Sequence, residues 1–215
     1  MNCCDLANVR LRAIESTYSV RQVEAVSFVN EPITLLEAWH HLRIDTYDSP
    51  PASADDFWLE NIGIPGARAW AEYYCAIAIA PQTLEYAGNG FPVTLELPIG
   101  PARGVVSIVY VDADGVTQTL DPAEYVFNPY GRTIKPVTAW PSVSDQDRSV
   151  IVTYEAGYTD DSPALPLLPN LRIGMLLLLG HLFENREDTS AASLTTIPTG
   201  ARTFLDWHRE RFGFA

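Results

Sequence analysis

The sequence predicts an α+β protein: a helical frame, made of N-terminal helices and long C-terminal helices, with a small antiparallel β module inserted in it. Three observations predict this. Apolar residues recur at spacings of three and four up to about Pro81, and from there to Glu155 they alternate instead. Helical spacing returns after Pro163. The richest helical stretch, Pro166–Asp188, then follows the strands rather than preceding them. Helices, then about six short strands, then helices is the order of an α+β plan. The expected divisions are an N-terminal arm (1–30), a helical part (31–80), the β module (81–160), a central apolar helix completing the helical part (161–188), and a mobile loop with a C-terminal helix (189–215).

The first 30 residues are ambiguous. Tyr18 to Val29 alternates in part, which suits a strand or an extended arm, and Pro32 ends it. Thr34-Leu35-Leu36-Glu37 is a capping box. A helix of about 11 residues should follow, with Leu35, Ala38, Trp39 and Leu42 on its apolar face. Asp45 to Ala54, with Pro50-Pro51, reads as a loop. Ser53 or Asp55 can cap the next helix, which carries Phe57, Trp58, Leu59 and Ile62. Gly63, Pro65 and Gly66 predict a kink or break there, and Ala67 to Ile79 resumes as a helix.

In the β module the expected strands are Thr83–Ala87, Val93–Leu97, Val105–Val111, Val116–Leu120, Tyr125–Phe127, Arg132–Lys135 and Ser149–Glu155. Asp112-Ala113-Asp114-Gly115 is a hairpin turn, and Pro129-Tyr130-Gly131 is a second turn. Gly157-Tyr158 and Pro163 close the module.

From Asn170 the chain suits a helix of roughly four to five turns. Leu168, Leu171, Met175, Leu178 and Leu182 form one stripe, and Leu176, Leu177 and Leu179 lie outside it. A helix apolar on nearly every side is buried on nearly every side. We therefore expect a neighbouring copy to cover part of it through Leu176, Leu177 and Leu179. The apolar run between Arg172 and His181 is only eight residues, too short to span a membrane. Asp188 to Ile197 is polar or small and is expected to be mobile. Pro198 can open a last helix, Thr199 to Phe212, carrying Phe204, Leu205, Trp207, His208, Arg211 and Phe212. Aromatic and arginine side chains of this kind dominate interface hot spots.

The composition is that of an ordinary globular chain: 215 residues, 47% hydrophobic, 19% charged. Fourteen Lys+Arg stand against 27 Asp+Glu, a formal net charge of −13, and Lys135 is the sole lysine. That balance argues against ordinary nucleic-acid binding, which needs clustered cations. Cys3, Cys4 and Cys75 make no disulfide framework, and no secretory leader is apparent, so a cytosolic site of synthesis is expected.

No pattern specifies catalysis, a cofactor or a metal. His40 and His41 are adjacent and point about 100° apart on a helix, so they cannot share a metal. His181 and Glu184 share a face, but two groups are not a site, and a helix-end hydrogen bond suits His181 better. Asp112-x-Asp114-Gly115 lacks the later acidic ligand of a calcium loop. Cys75, mid-helix, reads as an inert buried thiol. Phosphate-loop, dinucleotide and nucleophile-elbow patterns are absent.

Four stretches, in order, resemble the head–tail connector (adaptor) proteins of tailed bacteriophages and gene transfer agents. Ile33 to Asp45 (Ile-Thr-Leu-Leu-Glu-Ala-Trp-His-His-Leu-Arg-Ile-Asp) is similar to that family's opening helix. Tyr110 to Gly115, with Leu120-Asp121-Pro122 and Tyr125, is similar to its central hairpin. Val152 to Tyr158 is similar to its strand ending in Tyr-x-Ala-Gly-Tyr, and Leu176 to Glu187 to its closing helix. The resemblance implies a non-enzymatic subunit of a homo-oligomeric ring, commonly dodecameric, at the head–tail junction of a virion. Such a ring binds the portal protein, continues the DNA channel, and meets a tail-side stopper or tail terminator protein. DNA passes through without specific binding, for which an acidic surface is suited. The portal-docking candidates are Phe204, Leu205, Trp207, His208, Arg211 and Phe212, and truncation after Thr199 is expected to weaken docking without unfolding the chain. A tail-side or capsid-associated module is the alternative, and a small hydrolase using His181 with Glu184, or His40 with a distant acid, is the remote one.

Overall fold

The computed structural model describes residues 18–22, 31–45, 52–158, 168–186 and 199–209. The fold is α+β. It divides into two compact units, one of Met1–Ser27 with Pro81–Gly157 and the other of Phe28–Ala80 with Tyr158–Ala215.

The first unit is built on antiparallel strands. A five-stranded sheet has the order β1 (Tyr18–Gln22), β2 (Gln82–Gly88), β8 (Val150–Ala156), β4 (Ala102–Val111), β5 (Thr117–Thr119). A three-stranded sheet has the order β3 (Leu95–Glu96), β7 (Thr133–Pro136), β6 (Tyr125–Asn128). The ambiguous N-terminal segment thus supplies an edge strand, fixed by Arg21, whose guanidinium makes two bonds of 2.8 and 2.9 Å to Glu85. Alternation sets the burial: Val152, Tyr154 and Ala156 are wholly buried, whereas Glu155 is exposed. The strand expected over Val93–Leu97 shrinks to Leu95–Glu96, and Val93 is left 90% exposed.

Two of the sequence motifs are turns in this unit. Asp112 Oδ1 accepts the N–H groups of Asp114 and Val116 at 3.0 and 2.9 Å, and Oδ2 accepts Gln118 Nε2 at 2.9 Å. Gly115 takes the positive φ of 80° that the turn needs. At the end of β8, Gly157 takes φ 104°, and its N–H donates to Pro101 O at 2.9 Å.

The second unit gathers the helices. α1 spans Leu35–Leu42, and its predicted capping box is present: the Thr34 hydroxyl accepts Glu37 N–H at 3.2 Å, and Glu37 Oε2 accepts Thr34 N–H at 2.8 Å. α2 (Asp56–Trp58), a π turn (Leu59–Gly63) and α3 (Ile64–Cys75) form one continuous helical run. The expected break at Gly63–Gly66 is therefore a widened turn. Pro65 has no N–H and crowds the carbonyl four residues back. An i→i+5 turn, with Ile64 N–H reaching Leu59 O, makes room for it. Gly63 serves packing: a methyl there would stand 2.5 Å from Trp58 Cζ3 and 2.9 Å from Leu179 Cδ1.

α3 stops at Cys75 rather than Ile79. Ala76 turns left-handed (φ 56°), and the Glu72 carboxylate then captures the next backbone amides, Ile79 N–H at 2.8 Å and Ala80 N–H at 3.1 Å. Its other oxygen takes Arg68 Nη1 at 2.7 Å, and Arg68 Nε reaches Glu31 at 2.9 Å. Where the chain returns from the strands, Tyr158 N–H donates to Ile79 O at 3.0 Å.

α4 (Pro169–Glu184) lies at the centre of this unit, against α1, α3, the π turn and α5 (Thr199–Asp206). Its buried side is Leu171, Gly174, Met175, Leu178 and Leu179, in one core with Ile33, Trp39, Leu59, Ile64, Ala71, Cys75 and Leu205. Leu168 and Leu182, placed on the stripe by spacing, lie at the helix ends and stay partly exposed. The polar stretch 187–198, expected to be mobile, lies outside the described residues.

Candidate interaction surfaces

Trp39, Asp55, Asp56, His181 and Arg186, near the helix ends, each have a structural partner. Trp39 Nε1 donates to Asp56 Oδ1 at 2.8 Å, while Asp56 Oδ2 accepts Ser53 N–H at 2.8 Å. Asp56 therefore anchors the second helical run together with Ser53, whose hydroxyl accepts Asp55 N–H at 3.3 Å, whereas Asp55 makes no side-chain cap bond. Asp55 instead accepts Arg186 Nη2 at 2.7 Å. The Arg186 guanidinium lies 4.6 Å from the Trp58 ring and 4.5 Å from the Phe183 ring, which meet edge to face at 5.7 Å. His181 pairs with Asn185 at the end of α4 (Nδ1 to Nδ2, 3.3 Å).

Arg172 of α4 donates to Glu37 of α1 at 2.6 Å. Burial pushes the Glu37 carboxyl up, but the Thr34 amide and hydroxyl and the Arg172 charge outweigh it, so its pKa falls below the usual value. A depressed folded value means the stabilisation is complete above the unfolded value of about 4.3 and fades as the pH falls through the folded one. We expect Arg172→Met to be less stable than wild type at neutral pH, with the gap closing in urea titrations below about pH 4. A gap independent of pH would mean that Arg172 acts by packing alone.

α5 is seated from three sides. Leu205 and Ala201 are wholly buried. Gly174 admits Leu205, since a methyl at Gly174 would lie 2.8 Å from Leu205 Cγ and Cδ2. The Tyr74 hydroxyl donates to Asp206 at 2.6 Å, and Cys75 Sγ lies 3.4 Å from Leu205 O. Burial, with Asp206 adding to it, pushes the Cys75 thiol up to about 12, which makes it inert in the folded chain. Arg209 lies over the Tyr74 ring at 5.1 Å.

The docking and packing candidates therefore divide. Leu205 and Leu179 face the core of their own unit and cannot meet a partner. Trp207 is 76% exposed, Phe204 is half-buried, and Leu176 and Leu177 are half-buried. His208 is half-buried; burial lowers its pKa and favours the neutral ring, and its Nε2 has no hydrogen-bond partner among the described residues. Arg211 and Phe212 lie outside the described residues. α4 is enclosed by its own α1, α3 and α5, which leaves a partner only the strip around Ile173, Leu176 and Leu177. Spacing did not single out Gly174 and Asp206, which together with Tyr74, an aromatic that spacing places on the α3 helix, hold α5 in place.

His40 and His41 are exposed on α1. Among the described residues no group of three or more His, Cys, Asp or Glu could hold a metal, and no helix is long and apolar enough to cross a membrane.

A two-unit α+β chain of this design, with its polar motif residues committed to caps, turns and interhelical pairs, is a fold shared with particle proteins. A chain in the neck of an empty GTA particle, computed with C6 symmetry, matches over 91% of this chain and 98% of its own length, at TM-score 0.69 and 23% identity. A chain in the virion of a native gene transfer agent (GTA) particle matches over the same shares at TM-score 0.67 and 23% identity. A chain in the neck of a native GTA particle, computed with C12 symmetry, matches at TM-score 0.63 and 22% identity. No protein-family model and no curated protein matches the sequence.

Proposed function

We propose that this chain is a structural subunit of a ring at the head–tail junction of a tailed phage or gene transfer agent. It binds beneath the portal, extends the DNA channel, and offers the tail side an attachment surface for a stopper or terminator protein. The observation that carries this is the shared fold, which runs over 91% of this chain and 98% of a neck chain. The four motifs support it, because each occupies a structural station in the expected order. Ring membership draws on the C6 and C12 symmetry of the necks that hold the similar chains. A net charge of −13 suits a lumen that DNA passes without adhering.

In this reading Phe204, Trp207 and His208, with Arg211 and Phe212, meet the portal, and Leu176 and Leu177 meet a neighbouring copy. Leu205 and Leu179 act from within, holding the two helices that carry those surfaces. No catalytic role is assigned.

The test is co-purification with the virion structural proteins of the source. Truncation after Thr199 is not a clean probe, because it deletes the wholly buried Ala201 and Leu205. Trp207→Ala is clean, because its side chain is 76% exposed. We expect it to lower portal recovery roughly tenfold, the scale of an interface hot spot, with an unchanged melting temperature. Recovery of tail protein alone would move the chain to the tail side. Recovery of no virion protein by the wild type would overturn the proposal.

A further inference from the structure

α3 contains two charged residues, Arg68 and Glu72, and both turn inward and pair with each other at 2.7 Å. Its solvent-facing side is Gly66, Ala69 and Tyr73, none of them charged. Tyr73 is 72% exposed, Ala69 is exposed, and the space outside Gly66 is open. Ile62, 53% exposed, extends this face back into the π turn. An uncharged, solvent-facing helix side of this length is unusual in a chain of net charge −13.

A second strip, uncharged from Ile173 to Gly180 and ending at the exposed Glu184, runs along α4: Ile173 is 39% exposed, and Leu176, Leu177 and Gly180 are half-buried. α3 and α4 pack through their inner faces, Ile64, Ala67, Ala71 and Cys75 against Leu171, Met175, Leu178 and Leu179, in one core. The two outer faces therefore point in opposite directions.

We propose that copies of this chain join head to tail, the α3 outer face of one copy seating on the α4 outer strip of the next. This rests on the ring reading above and names the partner surface that reading leaves open. Three arguments converge on a second copy as the occupant. Copies carrying thirteen net negative charges repel, and an uncharged stretch on each side adds no acid of its own to that repulsion. Gly66 and Ala69 put no bulk on the α3 face, so a helix can come near. Two different patches on opposite sides generate a heterologous contact, which closes into a ring when its rotation closes; the similar chains sit in necks of C6 and C12 symmetry.

The test uses assembled particles and the full chain. In a Cys3→Ser, Cys4→Ser background, Tyr73→Cys and Ile173→Cys are introduced singly and together, and particles are treated with a short thiol–thiol cross-linker. We expect the double variant to give a ladder of covalent multimers on a denaturing gel, and each single variant to give none beyond trace. A double variant that enters particles yet stays monomeric overturns the interface while leaving the ring reading intact. Wild-type chain absent from particles overturns the ring reading and this inference with it. Ala69→Cys with Leu177→Cys repeats the test at independent positions, should the first pair impair incorporation.

Discussion

Glu72→Ala is expected to destabilise the helical unit by about 3–5 kcal/mol, the scale of breaking a buried charge pair by removing one partner. With roughly 2–4 °C per kcal/mol for a chain of this size, its thermal transition should fall by about 10 °C. One carboxylate does three jobs there. It accepts the Ile79 and Ala80 amides at 2.8 and 3.1 Å just past the end of α3, and it neutralises Arg68 at 2.7 Å. Burial raises the pKa of its carboxyl against the pull of the Arg68 charge and the two amides, the mark of a group held at the edge of what desolvation permits. Alanine removes the acceptor from both amides and leaves the guanidinium, 8% exposed, to Glu31 alone among those two acids. Glu72→Gln separates the contributions. Its amide oxygen still serves the Ile79 and Ala80 N–H groups, while its NH2 faces Arg68 as a second donor, so about half the loss should return. Urea denaturation followed by the helical far-UV signal measures both. A loss under about 1 kcal/mol for Glu72→Ala would show that solvent replaces the carboxylate and that the end of α3 is fixed by Ala76 alone.

The same residue shows why part of the fold was legible and part was not. The Thr34–Glu37 capping box and the Asp112–Gly115 turn were legible because their partners lie within three or four residues. The extent of α4 followed from an unbroken run between a proline and a polar end. The end of α3 was misplaced by four residues because Glu72 closes it with bonds to amides seven and eight positions on, which no spacing rule anticipates. The π turn hid for a related reason: glycine and proline mark a disturbance, but whether it becomes a break or a widened turn depends on Trp58 and Leu179 packing over Gly63. β1 was ambiguous because its register is set by β2 and by Glu85, 64 residues away. At the candidate surface, Leu205 and Trp207 look alike as apolar residues of one stretch expected to be helical to Phe212, yet α5 ends at Asp206, leaving Leu205 wholly buried and Trp207, just past the end, mostly exposed. Only the neighbour across the fold tells them apart. The uncharged α3 face, by contrast, was present in the sequence: Arg68 and Glu72, four apart, share one side and leave the other without charge.

Gly174→Val is expected to unseat α5 while α1, α3 and α4 stay folded. A first side-chain carbon at this position lies 2.8 Å from Leu205 Cγ and Cδ2, inside van der Waals contact, and 3.5 Å from Ala201 O. Leu205 is wholly buried and has nowhere to retreat, so the helix that carries it must move. Overpacking of this kind costs about 1–3 kcal/mol. The gain in helix propensity on replacing glycine, under about 1 kcal/mol, offsets it only in part. Unseating α5 breaks the Tyr74–Asp206 hydrogen bond and uncovers Cys75, whose thiol is shielded by Leu205 and held near 12 while buried. In a Cys3→Ser, Cys4→Ser background, a maleimide at mildly alkaline pH should therefore label Cys75 in Gly174→Val at least tenfold faster than in the otherwise wild-type chain, a rate that tracks exposure and thiolate fraction together. Leu205→Ala on the same background should restore the seat by removing the atoms that collide, and so slow labelling again relative to the single variant. That rescue distinguishes a specific collision from general unfolding, which a second truncation in the core would only worsen. If α5 carries the portal-facing side chains as proposed, portal recovery should follow the labelling rate across the three proteins: high in wild type, low in Gly174→Val, partly regained in the double variant. Labelling that rises while portal recovery holds steady would separate the seating of α5 from attachment, and would place the portal contact elsewhere on the chain.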